Sequence, residues 1–178
     1  MNRDIKEILI SEQQIEERCE EIGRQIDQDY AQREPLMVGL LKGSVPFLSE
    51  LIKHIHLNIS VDFMDVSSYE GTNSTGEVRI NKDLDYGVAG LEIILVEDIV
   101  DTGRTLAKVR DLLYSKGAKD VRIVSLLDKP ERRVVKIDPD YVGFRVPNVF
   151  VVGYGLDYNQ KYRNLPFVGI LKEEVYNK

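Results

Sequence analysis

The sequence predicts an α/β protein with a doubly wound, mainly parallel sheet flanked by helices. Three continuous apolar runs, PLMVGLL, LEIILVE and VRIVSLLD, read as strands buried on both faces. Segments of helical period lie between and around them, and strands alternating with helices build a parallel sheet. The 178 residues contain no repeat, linker or low-complexity tract, so one domain spanning 1–178 is expected.

Ser11 and Gln14 have the spacing of a capping box. Behind them Ile15, Cys19, Ile22, Ile26 and Tyr30 form one apolar stripe, which makes an amphipathic helix. Cys19 sits on that stripe and is expected in the core. PLMVGLL is a buried strand running into KGSVPFLSELIKHIH, a helix with Ser44 as expected N-cap and Pro46 in its first turn. His54 and His56 do not share a face and are expected as ordinary surface or helix-end residues. LNISVDF alternates apolar and polar residues, as a strand covered on one face does. SSYEGTNSTGEVR is too polar to pack and reads as a mobile loop in a hairpin or long excursion. LEIILVE is a central strand, TLAKVRDLLYSKG a helix ending at Gly117, and VRIVSLLD another buried strand. FVVGYGLD and PFVGIL supply short β segments.

An apolar content of 43% and a charged content of 30% suit a globular protein in water. The net charge of −6 argues against broad nucleic-acid binding, which needs a basic surface. Cys19 is the only cysteine, so no internal disulfide forms. The opening MNRDIKEILISEQQ is charged from residue 3 and lacks an apolar core segment, so the cytoplasm is the expected compartment. No apolar run approaches the ~18 residues of a membrane span.

The stretch VEDIVDTGRT, Val96 to Thr105, places three carboxylates beside a turn suited to an anion. In open α/β sheets ligands bind at the carboxyl ends of strands, where the next helix presents free N–H groups. Gly103 allows a tight backbone, Thr102 and Thr105 offer hydroxyls, and Arg104 lies in the same turn. No GxxxxGK[ST] loop occurs, and GYGLDY lacks the third glycine of a dinucleotide loop. A sugar phosphate reconciles acids with an anion site. Glu97 and Asp98 can accept hydrogen bonds from vicinal ribose hydroxyls, directly or through Mg²⁺, while the turn holds the 5′-phosphate. Asp is also a favoured helix N-cap, so Asp101 has a structural role open to it besides a chemical one.

VEDIVDTGRTL resembles the phosphoribosyl-diphosphate motif of type I phosphoribosyltransferases. LLKGS resembles that family's diphosphate loop, and SSY with the polar stretch after it resembles the flexible loop. DKPERR resembles the base-contacting lysine segment, and FVVGYGLDYNQKYRNLP the segment closing the purine pocket. The five segments occur in the family's order and are similar to its members that salvage hypoxanthine and guanine. Tyr154 stands where many members have Phe, and Arg104 where some have Lys.

The resemblance implies the family fold, with a small hood formed by terminal segments. It implies transfer of a phosphoribosyl group from phosphoribosyl diphosphate to hypoxanthine or guanine, giving IMP or GMP plus diphosphate, with Mg²⁺ as cofactor. It assigns Lys42, Gly43, Ser68, Tyr69 and Arg163 to the diphosphate. It makes Asp101 the general base at purine N7, beside Glu97, Asp98 and the turn Thr102, Gly103, Arg104 and Thr105 for ribose and 5′-phosphate. Lys129 would contact the purine 6-position, Phe150 would stack on the ring with Ile99 opposite, and Val151 and Asp157 would offer backbone groups to its edge. Glu97, Asp98 and Asp157 are the implied metal residues. The family also implies a homodimer or homotetramer. RNA-binding regulators on this fold carry an apolar or aromatic residue where Asp101 stands, so Asp101 argues for the enzyme.

Overall fold

The computed structural model describes residues 3–68 and 78–177. In chain order the elements are β1 (Ile5–Ile10), α1 (Glu12–Asp29), β2 (Leu36–Leu40), α2 (Val45–Leu51), β3 (Ser60–Ser68), β4 (Val78–Lys82) and β5 (Glu92–Val100). They continue with α3 (Arg104–Ser115), β6 (Asp120–Asp128), β7 (Tyr141–Arg145), β8 (Val151–Val152), β9 (Val168–Leu171) and α4 (Glu173–Tyr176).

The helices form for the reasons their sequences suggest. Ser11 Oγ accepts the Gln14 N–H at 3.2 Å while Gln14 Oε1 accepts the Ser11 N–H at 2.9 Å, a complete capping box. The stripe of α1, with Cys19 in it, is buried against Phe47 of α2 and the Ile94, Val96 face of β5. On the other side of the sheet Leu106, Val109 and Leu113 of α3 pack with Ile93 and Leu95. Successive residues of β5 thus feed two cores, which is why that strand reads as an unbroken apolar run. Gly117, at φ 90°, ends α3 as expected.

The six-stranded sheet has the order β4-β3-β2-β5-β6-β7, and every neighbouring pair is parallel except β3 and β4. From β2 the chain moves outward to β3, and from β5 it moves outward the other way to β6 and β7. The strand order therefore reverses between β2 and β5, and a crevice opens there at the carboxyl ends of the strands. A second, antiparallel sheet, β1-β9-β8, comes from the terminal segments and joins the core through Ile10, Val151 and Val168. It is the hood.

One local expectation is corrected. Ser44 does not cap α2: its backbone is already helical at φ −70° and ψ −15°, and its buried hydroxyl has no hydrogen-bond partner. A side-chain cap needs extended dihedrals at that residue, and the turn through Lys42 and Gly43 delivers the chain already coiled. Pro46 does occupy the first turn. His54 faces Glu50 and His56 faces Asp27, well apart. The expected loop at SSYEGTNSTGEVR lies largely outside the described residues, although β3 and β4 at its ends pair as a hairpin. Strands β1 and β7 had no recognised sequence signal. Among the described residues no helix is long and apolar enough to cross a membrane.

Candidate active site

At the strand-order switch the backbones at Gly43 and Gly155 and the side chain of Asp98 come into close approach. After β2 the chain turns through Lys42 and Gly43, with a cis peptide bond between Leu41 and Lys42. A Cβ on Gly43 would sit 1.6 Å from Asp98 Oδ2, and one on Gly155 would sit 1.9 Å from the Gly43 carbonyl oxygen. Only glycine fits at either place. Arg163 Nη1 donates to the Gly155 carbonyl at 2.6 Å, and its Nη2 lies 2.7 Å from Asp157 Oδ1. Asp157 Oδ2 accepts the Gln160 N–H at 2.8 Å, so both oxygens of this carboxylate are engaged.

Strand β5 extends through Val100, carrying Glu97 and Asp98 past the last residue of β2 that pairs with it. Asp98 Oδ1 accepts the Ile99 N–H at 2.7 Å. Burial pushes the Glu97 carboxyl well above the usual range, and the neighbouring Asp98 charge adds to the shift. Burial raises Asp98 too, with the hydrogen bond from Glu97 partly offsetting it.

A cleft of about 200 Å³ follows, lined by Glu97, Ile99, Asp101, Thr102, Gly103 and Thr105 together with Val100 and Leu106. Gly103, at φ 78°, is the N-cap of α3, and the amides of that first turn have no acceptor within the helix. Gly103, not Asp101, therefore caps the helix. The Asp101 carboxylate instead lies 2.7 Å from Arg132 Nε, an ion pair whose angle is too poor for a hydrogen bond. Arg104 is exposed and outside the cleft.

Lys129 follows β6 and is buried, with its ammonium donating to the Val149 carbonyl at 2.6 Å. Burial lowers its pKa, and the Asp101 charge opposes the shift. Two of its three N–H donors remain. Beyond it Val151 is buried in β8, while Phe150 is 37% exposed with Tyr176 stacked at 4.8 Å and Tyr158 edge-on at 5.7 Å. A larger depression of about 690 Å³ on the hood includes Phe150 and Tyr176 but none of the acids or turn residues.

The structure thus brings Glu97, Asp98, Ile99, Asp101, Thr102, Gly103 and Thr105 together, with Gly43 against Asp98 and Lys129 near Asp101. Ser68 ends β3, and Tyr69 lies outside the described residues. Among the described residues no group of three or more His, Cys, Asp or Glu side chains could hold a metal ion, so Glu97, Asp98 and Asp157 form no closed cage. Sequence reasoning missed Arg132 at Asp101, Tyr176 at Phe150 and Arg133, which reaches the carbonyls of Val100 and Asp101. A cluster of charge after DKP gave no sign of which arginine turned inward.

A family model for the phosphoribosyl transferase domain matches residues 6–159. The hypoxanthine-guanine phosphoribosyltransferase of Streptococcus pyogenes serotype M3 is 54% identical over 179 residues, covering 100% of this chain and 99% of the relative. That of Lactococcus lactis is 55% identical, covering 100% and 97%. A crystal structure of hypoxanthine phosphoribosyltransferase from Staphylococcus aureus superposes with a TM-score of 0.95 at 50% identity, covering 98% of this chain and 96% of that one. The chain, with its crevice at the strand-order switch, belongs to the phosphoribosyltransferase family.

Proposed function

We propose that the chain transfers the 5-phosphoribosyl group of phosphoribosyl diphosphate to N9 of hypoxanthine or guanine, yielding IMP or GMP and diphosphate in purine salvage. One observation carries this reading: Glu97 and the turn Asp101–Thr105 line one cleft at the carboxyl end of β5, with Asp98 against Gly43 and a buried lysine near Asp101. The relatives' names point to the same 6-oxopurines.

The roles follow from the chemistry of each group. The turn from Thr102 to Thr105 holds the 5′-phosphate with amides and hydroxyls. Glu97 and Asp98 accept from the ribose hydroxyls. The Lys42–Gly43 loop and Arg163 receive the diphosphate, whose charge grows as its bond to C1′ breaks, so fixed donors there stabilise the transition state. Asp101, free of any capping duty, shares or takes the proton at purine N7 as N9 attacks. Lys129 spends one donor on Val149 and offers another to the 6-oxo group. Phe150 stacks on the purine, with Tyr176 already on one side of its ring.

The residues fit Mg²⁺. A buried pair such as Glu97 and Asp98 ionises fully only opposite a cation or several donors, and Mg²⁺ takes one or two carboxylates together with substrate oxygens and water. When bound, the ion would draw charge from the leaving diphosphate. Asp157, held by Arg163 and Gln160, would meet a second ion through water. The family resemblance extends the reading to a cytoplasmic homodimer or homotetramer.

Initial rates with phosphoribosyl diphosphate, Mg²⁺ and each of hypoxanthine, guanine, xanthine, adenine and uracil test it. IMP and GMP should form, and only with the metal supplied. No nucleotide from any base would sink the proposal.

A further inference from the structure

We propose that Arg133 is a positioning residue for this reaction, locking the phosphate turn and the purine-reading lysine into one frame. The inference rests on the assignment of the Asp101–Thr105 turn to the 5′-phosphate and of Lys129 to the base.

The geometry is a clamp on the outer side of the turn. Arg133 Nη1 donates to the carbonyls of Val100 at 3.1 Å and Asp101 at 2.6 Å. Its Nη2 pairs with Asp128 at the end of β6, and the two side chains are only 11% and 4% exposed. Two further contacts join the same frame. The Val100 carbonyl also accepts the Lys129 N–H at 2.9 Å, and the Val134 N–H donates to the Thr102 carbonyl at 3.1 Å. The arginine stem packs beneath Gly103, with Cδ 3.1 Å from where a Cβ would stand.

Carbonyl and N–H point opposite ways across a trans peptide. Gripping the Val100 and Asp101 carbonyls therefore turns the Asp101 and Thr102 N–H groups away from the cation and fixes their direction. It also fixes the Asp101 backbone from which the proposed base projects. A guanidinium can hold two carbonyls with one nitrogen and a carboxylate with another, whereas an ammonium cannot span both sides. The bland alternative is a buried ion pair that contributes only to stability.

Four variants separate these roles, each measured for Tm and for kcat and KM with phosphoribosyl diphosphate and hypoxanthine. Arg133→Lys keeps the charge but loses the fork. It should raise KM for phosphoribosyl diphosphate by about tenfold or more while remaining folded at the assay temperature. Asp128→Asn keeps an acceptor for the guanidinium, so it should lower Tm with that KM changed less than about threefold. Added guanidinium should recover part of the loss in Arg133→Ala if that variant folds, and Arg133→Lys carries the test if it does not. Thr105→Val checks the turn assignment itself. A raised KM in Thr105→Val with a wild-type KM in Arg133→Lys would overturn the clamp and leave the turn assignment standing. Wild-type KM in both would overturn both. Equal KM increases in Asp128→Asn and Arg133→Lys would reduce Arg133 to a structural ion pair.

Discussion

Gly43 carries more information in space than in sequence, because a side chain there would lie 1.6 Å from Asp98 Oδ2. Gly43→Ala must move either the loop assigned to diphosphate or the carboxylate assigned to ribose. Displacement of about an ångström at a reacting centre costs about 10²-fold, so kcat/KM for phosphoribosyl diphosphate should fall by that order. A loss below threefold would show that the close approach has no bearing on catalysis. Asp101 makes the opposite case, being legible as an acid beside a turn but ambiguous between cap and base. Gly103 takes the cap in the structure, and the Asp101 carboxylate faces Arg132 instead of the helix amides. Asp101→Ala should therefore lower kcat by more than it weakens binding of phosphoribosyl diphosphate; equal losses in single-turnover and binding measurements would return the residue to a structural role.

Among the elements, those with strong periodicity were readable and those without it were not. The capping box and stripe of α1 follow from Ser11, Gln14 and the spacing of the isoleucines. Ser11→Ala should cost about 1 kcal/mol, or about 2–4 °C in Tm for a chain of this length, with kcat/KM unchanged. Strand β1 was missed because only Ile5 and Ile10 of its six residues are buried, a pattern of neither period. Strand β7 is short, and Gly143 interrupts its apolar residues. The return of the β3–β4 hairpin depends on Asp62, which accepts the Asp85 N–H at 2.8 Å and the Phe63 N–H at 2.7 Å and meets Lys82. Burial favours the neutral acid, but those hydrogen bonds and the ammonium outweigh it, and the pKa falls below 3.8. A depressed folded pKa means the contribution is present above that ordinary value and is lost as pH falls through the folded one. Asp62→Asn should lower Tm at about pH 7, and the gap to wild type should narrow as pH falls below 3.8. A gap that stays constant between those pH values would rule out this ionisation as its source.

For the whole molecule, the parallel sheet was legible because β2, β5 and β6 are apolar on both faces. The place of the site followed from the rule that open sheets bind ligands where strand order reverses. What the sequence withheld were contacts between segments distant in the chain. Nothing in it placed Gly155 against Gly43, turned Arg133 inward or set Tyr176 on Phe150. The central claim is that this crevice serves a 6-oxopurine, with Lys129 selecting the base. An ammonium offers donors only, so a 6-oxo group satisfies it while a 6-amino group strands both partners in a buried place. The direct measurement is kcat/KM for hypoxanthine and for adenine in the wild type and in Lys129→Ala. The wild type should prefer hypoxanthine by about 10⁴ or more, and Lys129→Ala should lose most of that ratio. Adenine within tenfold of hypoxanthine in the wild type would contradict the 6-oxopurine assignment, and a strong preference that survives Lys129→Ala would take the selection away from Lys129.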